Sequence, residues 1–396
     1  MYNTLMYICY ICTEIIFAIM EVPFKFGKLA ENENFVDRID DRRKLKQLLS
    51  SGINVMLVSP RRWGKSSLVQ MATREMMSED KNVRVCYIDA MGIHTEAEFY
   101  RIFAREVIAC TSTVLEKRLD YVKRFLQNIR PGVSLSANSS ETMSFDLKFD
   151  MEDIDEYEIL NLPQKIASEK GLRIIVCIDE FQQLAQISQY KSLEGKMRSA
   201  WQTQQNVSYC LYGSKRHMML DIFNNSSNPF YRFGQIFFLK KIPENEWIPF
   251  IIGKFEATKK KMSEDYAAKI CETVRCLSWY VQQYCYFVWS NTSKVVTDEI
   301  LDLALAQMIE MNAPMYENDT ENLTSAQFAM LKAVANGEFK LNSALVVKKY
   351  DLGNAQTITR NKKILQEMDF FEKVAGDDKY EFCDPIFEIW FKGKYV

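Results

Sequence analysis

The chain has 396 residues, a formal net charge of −2 and a hydrophobic fraction of 47%. That length exceeds one small core and predicts two or three domains, and the near-neutral charge excludes a general nucleic-acid binder while leaving room for a local basic face. Two histidines, His94 and His217, argue against a histidine-based metal site or catalytic triad, and ten cysteines without framework spacing read as reduced thiols of a cytoplasmic protein.

Taken in chain order, the apolar opening has no basic n-region and no A-x-A site, and Glu14 interrupts it. Residues 1–19 are therefore expected to be an upstream mis-assigned start or a loosely packed extension, in preference to a membrane anchor. Cys9 and Cys12 form a CxxC there with no partner pair and read as ordinary apolar cysteines. Residues 35–50 predict an amphipathic helix with Ile39, Leu45, Leu48 and Leu49 on its apolar side. NVMLVS (54–59) predicts a buried strand, SSLVQMATREMM a helix, and VRVCYIDA (83–90) a second strand. A long helix is expected from residue 96 to residue 126. Residues 131–150 alternate around an Asn-Ser-Ser turn, as a β-hairpin does. After a helix over 155–169, the runs 172–180, 207–214 and 235–242 predict three more strands. Strands alternating with helices predict an α/β fold with a five-stranded parallel sheet covered on both faces. From 243 onward the β signal ends: 244–311 reads as helices, 314–322 as a polar linker, and the last residues as three helices and a short hairpin, the pattern of a winged helix.

The chemistry lies in four short strings. Ser59-Pro60-Arg61-Arg62-Trp63-Gly64-Lys65-Ser66-Ser67 fits G-x-x-x-x-G-K-[ST] except at Ser59, and stands between a strand and a helix as a P-loop must. Its backbone N–H groups and the helix N-terminus suit phosphates, with Lys65 as the neutralising cation and Ser66 as a magnesium ligand. IIVCIDEFQQL (174–184) ends a strand on Asp179 and Glu180, a Walker B arrangement: Asp179 for the metal through water, Glu180 to orient and polarise the attacking water. In LYGSKRHMM, Ser214 is the best candidate to touch the γ-phosphate or the water, and it equally fits a helix cap. Arg232, before the last strand, fits either an arginine finger to its own or a neighbouring subunit's γ-phosphate or a plain surface arginine.

Together these strings resemble the bacterial branch of the archaeal-type ATPase family, among the AAA+-like and STAND-like P-loop NTPases. FGKLAENENFVDR, SPRRWGKSSL, YIDA, IDEFQQL, Gly213-Ser214, NPFYRF, WYVQQYC (279–285) and YEFCDPIFEIWF (380–391) carry the resemblance, from about Phe24 to the C-terminus. It implies a sheet of the ASCE type, a core over 20–242, a helical lid over 243–315 and a winged helix over 322–396. It further implies ATP with Mg2+ as the ligand, Phe35 and Arg38 near the adenine, and a lid segment around Tyr280 and Gln282 that closes over the nucleotide. Ser59 departs from the usual glycine. Some relatives continue into a nuclease-like domain, and no nuclease function is carried over. The residues themselves show no guanine-reading N-K-x-D string, so the choice of ATP comes from the resemblance. Thr357, Arg360, Lys362 and Lys363 fit DNA contacts from the third helix of the winged-helix domain, but the charges of that module roughly cancel, which favours an intramolecular lid or a protein-docking surface. The expectation is a nucleotide-controlled switch with slow ATP turnover that acts on a protein partner or as a homo-oligomer, with DNA and membrane not favoured.

Overall fold

The computed structural model describes residues 22–29, 35–36, 38–112, 155–374 and 379–396, and the backbone of 134–137 and 145–148. The expectations for residues 1–19 with Cys9 and Cys12, for the helix beyond residue 112 and for the turn of the hairpin lie outside these residues. The chain divides into two compact units: Asp37–Lys240, and Lys241–Val396 together with the described residues up to Val36.

The first unit is an α/β layer structure. Its strands are β1 (Val55–Val58), β2 (Val83–Asp89), β5 (Arg173–Asp179), β6 (Val207–Gly213) and β7 (Gln235–Phe238), arranged β2-β5-β6-β1-β7. All neighbours are parallel, as the sequence predicts. β6 separates β1 from β5, so a strand stands between the two motif-bearing strands, the order expected of the ASCE type. Between β2 and β5, β3 (Ser134–Ala137) pairs antiparallel with β4 (Phe145–Lys148).

Residues alternate across a strand, and here both faces are buried. Met56, Val58, Cys86, Ile88, Ile174, Val176, Ile178, Tyr209 and Leu211 join one cluster with Phe99, Phe103, Ile166 and Trp201. Trp201 stacks on Tyr209 with ring centroids 4.1 Å apart. On the other face Val55, Leu57, Ile175, Cys177, Cys210 and Tyr212 are buried as well. There α1 (Ile39–Ser50) and α2 (Lys65–Glu79) cover the sheet: the Ser208 hydroxyl donates to Leu49 O at 3.1 Å, and Thr73 Oγ1 and Tyr87 OH are 2.6 Å apart. Arg42 and Lys46 of α1 pair with Glu75 of α2, which fixes the helix that follows the P-loop. At β7 the chain comes so close to β1 that a Cβ on Gly234 would meet Asn54 O at 2.1 Å. Glycine there lets Gln235 N donate to Asn54 O and start the ladder.

The second unit is helical. α8 (Glu244–Ala257), α9 (Glu264–Thr273), α10 (Ser278–Asn291) and α11 (Asp298–Glu321) precede α12 (Ser325–Ala335), α13 (Ala344–Tyr350), α14 (Ala355–Glu367), the hairpin β8 (Phe371–Lys373) with β9 (Tyr380–Phe382), and α15 (Pro385–Tyr395). Phe24 is buried here, with ring centroids 5.4 Å from Phe255. The stretch 314–322 is not a linker: α11 runs through it to Glu321, with Pro314 inside the helix. Tyr316 explains this. It is fully buried against Phe387 and Trp390 of α15, and that burial overrides a polar, proline-bearing sequence. Asp384 joins the segments of this unit. It accepts from Ile386 N and Phe387 N to cap α15, and it also accepts from the hydroxyls of Tyr280 and Tyr316.

Candidate functional site

β1 ends at Val58, and the buried Ser59 follows, its Oγ donating to Pro60 O at 3.0 Å. The loop then turns through left-handed backbone at Arg62 (φ 69°) and Gly64 (φ 85°) before α2 begins at Lys65. Left-handed residues in such a loop aim successive N–H groups into one concavity, which suits an anion. Gly64 takes its conformation without cost, while Arg62 is held in one that side chains disfavour. Pro60, Trp63 and Lys65 are half-buried, Arg61 is exposed, and Ser67 is buried at the start of α2.

The sheet register sets Ser59, Asp179 and Ser214 at the carboxyl ends of β1, β5 and β6, the edge where open parallel sheets place their ligands. Side chains from these ends converge. Ser66 Oγ donates to Asp179 Oδ2 at 2.7 Å. Lys65 Nζ lies 2.7 Å from Glu180 Oε1 and 3.7 Å from Asp179 Oδ1. The Ser214 hydroxyl donates to Glu180 Oε2 at 2.7 Å, and Ser214 N to the same oxygen at 3.2 Å. Gln182 Nε2 donates to it at 2.6 Å.

The two acids titrate in opposite directions. Burial pushes the Asp179 carboxyl above its ordinary value, against the pull of Lys65 and of the Ser66 hydroxyl. Burial would raise Glu180 too, but the Lys65 ammonium, Gln182 and Ser214 outweigh it and hold that carboxyl at about 2. Glu180 is thus held ionised in contact with Lys65, beside an Asp179 carboxyl that burial shifts upward.

The other expected residues lie as follows. Arg38 is 5% exposed, in left-handed backbone before α1. Expected beside a base, its guanidinium donates to Trp63 O at 2.7 Å, to Lys240 O at 2.9 Å and to Asp41 Oδ2 at 2.9 Å. It ties the P-loop backbone to the chain leaving β7. Phe35 is half-buried. Arg232 is exposed, its guanidinium 5.1 Å from the Tyr231 ring centre, and no hydrogen bond or ion pair joins it to the Lys65–Glu180 cluster among the described residues. In the helical unit Gln282 is buried and its Oε1 has no hydrogen-bond partner among the described residues. Tyr280 is fully buried, and its hydroxyl is engaged by Asp384. Among the described residues no group of three or more Cys, His, Asp or Glu gathers as a metal centre, and no helix is long and apolar enough to cross a membrane. Gln182 was not expected at the site. Its signal in the sequence was the QQ after Asp179-Glu180, which gives no direction until the turn at Glu180 is known.

A family model described as a probable winged helix domain matches residues 314–393. The structure is similar to the Walker-type ATPase PABY2304 of Pyrococcus abyssi, with a TM-score of 0.66 and 17% identity over 93% of this chain and 99% of that one. It is also similar to the ORC2 protein of Aeropyrum pernix in its ADPNP–ADP complexes, with a TM-score of 0.58 and 12% identity over 92% and 94%. No curated protein matches the chain. At these identities the likeness is one of fold: a P-loop ATPase fold with a five-stranded parallel sheet and a C-terminal winged helix.

Proposed function

We propose that the chain binds ATP with Mg2+ on the Ser59–Ser67 loop, hydrolyses it slowly, and uses the cycle as a conformational switch. The supporting observation is the convergence of Lys65, Ser66, Asp179 and Glu180 within hydrogen-bond reach at the sheet edge. The Ser66 hydroxyl and the Asp179 carboxylate fit Mg2+, a hard cation that keeps several waters and takes one or two protein oxygens. When bound, the ion would neutralise phosphate charge. Lys65 is the residue with two partners to choose between. It pairs with Glu180 here, and phosphate oxygens would compete for it. Once it leaves, Glu180 Oε1 is open to accept a proton from the attacking water. The A. pernix ORC2 structure, with ADPNP and ADP, is in keeping with this reading.

Ser214 is assigned to Glu180, because its hydroxyl already donates there; this replaces direct reading of the γ-phosphate. Arg232, outside the cluster, is left as a surface arginine or a contact to a neighbouring copy. Glu180→Gln tests the reading: ATP binding should persist and turnover should vanish, while persistent turnover assigns the water to another residue. A pull-down with that variant held on ATP would expose a protein partner. A second reading, ATP-dependent DNA binding, is favoured by Arg360 and Lys363 standing exposed on α14. It requires an affinity that falls with salt and in an Arg360/Lys363 double variant; failure of both removes it.

A further inference from the structure

Glu180 takes left-handed backbone (φ 49°) where β5 ends. That turn feeds the 3-10 segment Phe181–Gln186 and returns the Gln182 amide to the carboxylate two residues before it. Gln182 is fully buried, and its Oε1 has no hydrogen-bond partner among the described residues. A buried amide oxygen left unpaired loses its hydration without return, whereas Leu or Met would fill the same volume without that loss. Packing therefore does not explain an amide here; its N–H group does. The reverse amide orientation would set one oxygen against another. The place that the amide fills also depends on position 213: a Cβ there would stand 1.8 Å from Gln182 Oε1. Gly213, having no side chain, leaves the space that the amide needs.

We propose that Gln182 is a positioning residue that acts with Ser214 to pin Oε2 of Glu180, leaving Oε1 alone for the attacking water after Lys65 turns to phosphate. This rests on the ATPase reading of the site. The two oxygens of Glu180 are divided between different partners: Oε1 faces Lys65, and Oε2 faces Gln182 Nε2 and both donors of Ser214. The charged groups that face Glu180 are Lys65 of α2 and Asp179 of its own strand. Only Lys65 leaves when phosphate arrives. The neutral donors stay, so the carboxylate keeps its aim through the step that needs it.

The test uses the full chain and the variants Gln182→Leu, Gln182→Met and Gly213→Ala. The first readout needs no nucleotide: urea unfolding of Gln182→Leu, Glu180→Gln and the double variant, where the hydrogen bond from Gln182 Nε2 to Glu180 Oε2 predicts that the double variant loses less stability than the two single losses added together. The second readout is MgATP turnover. We expect kcat to fall about tenfold to a hundredfold with ATP affinity changed by about twofold at most, and Gly213→Ala to reproduce the fall. Additive stability losses with unchanged kcat overturn the proposal, and so does a parallel loss of ATP affinity and kcat in all three, which marks a structural role. If the wild-type chain shows no turnover while the stability coupling is present, the ATPase reading fails and the pin on Glu180 stands.

Discussion

Replacing Lys65 by alanine in the nucleotide-free chain leaves Asp179 and Glu180 side by side without their shared cation. The depression of Glu180 from 4.5 to about 2, at ~1.4 kcal/mol per pH unit, totals roughly 3 kcal/mol. Gln182 and Ser214 supply part of it and solvent at the open side of the site screens more, so the share of Lys65 is roughly 1–2 kcal/mol. A double-mutant cycle of Lys65→Ala and Glu180→Gln should return this as coupling. Because the folded-state value lies below the unfolded one, the stabilisation is fully present above pH 4.5 and declines as pH falls toward 2. Urea unfolding of the four proteins at pH 7 and again near pH 3 measures it. The second substitution should partly rescue the first at pH 7 and do so less at pH 3. A coupling near zero at pH 7, or one that does not weaken in acid, would refute the electrostatic account of the site.

Arg38→Ala removes a buried cation that donates to Trp63 O, Lys240 O and Asp41. It should cost about 2–4 kcal/mol in thermal melts and weaken ATP binding, because the P-loop backbone loses its tie; an unchanged melt would remove that role. Tyr280→Phe should cost about 1–2 kcal/mol by releasing Asp384. Asp384→Ala should cost more, since α15 also loses its cap, and the double variant should fall short of the sum.

The sheet was legible because its strands carry uninterrupted apolar runs: all residues of β1 and β6 are buried, and only such strands lie between two helical layers. The strings 59–67 and 174–184 stood out by fixed residue spacing within a strand, a loop and a helix, and the fold brings their side chains together at one sheet edge. Three features were not. The continuation of α11 beyond Pro314 depends on Tyr316 meeting Phe387, far along the chain. Arg38 carries a charge that reads as a ligand contact in sequence, but carbonyl groups from two distant segments claim it. Gln182 depends on a left-handed Glu180, which no spacing announces. Each is a long-range or backbone-conformational fact, and local pattern contains neither.

The most direct test is a calorimetric titration of MgATP into the wild-type chain and Lys65→Ala, both checked for folding by circular dichroism. The account predicts saturable binding to the wild-type protein and none measurable to the variant, whose loop keeps its shape but lacks the ammonium that meets the phosphates. Equal affinity for ATP in the two proteins would contradict it.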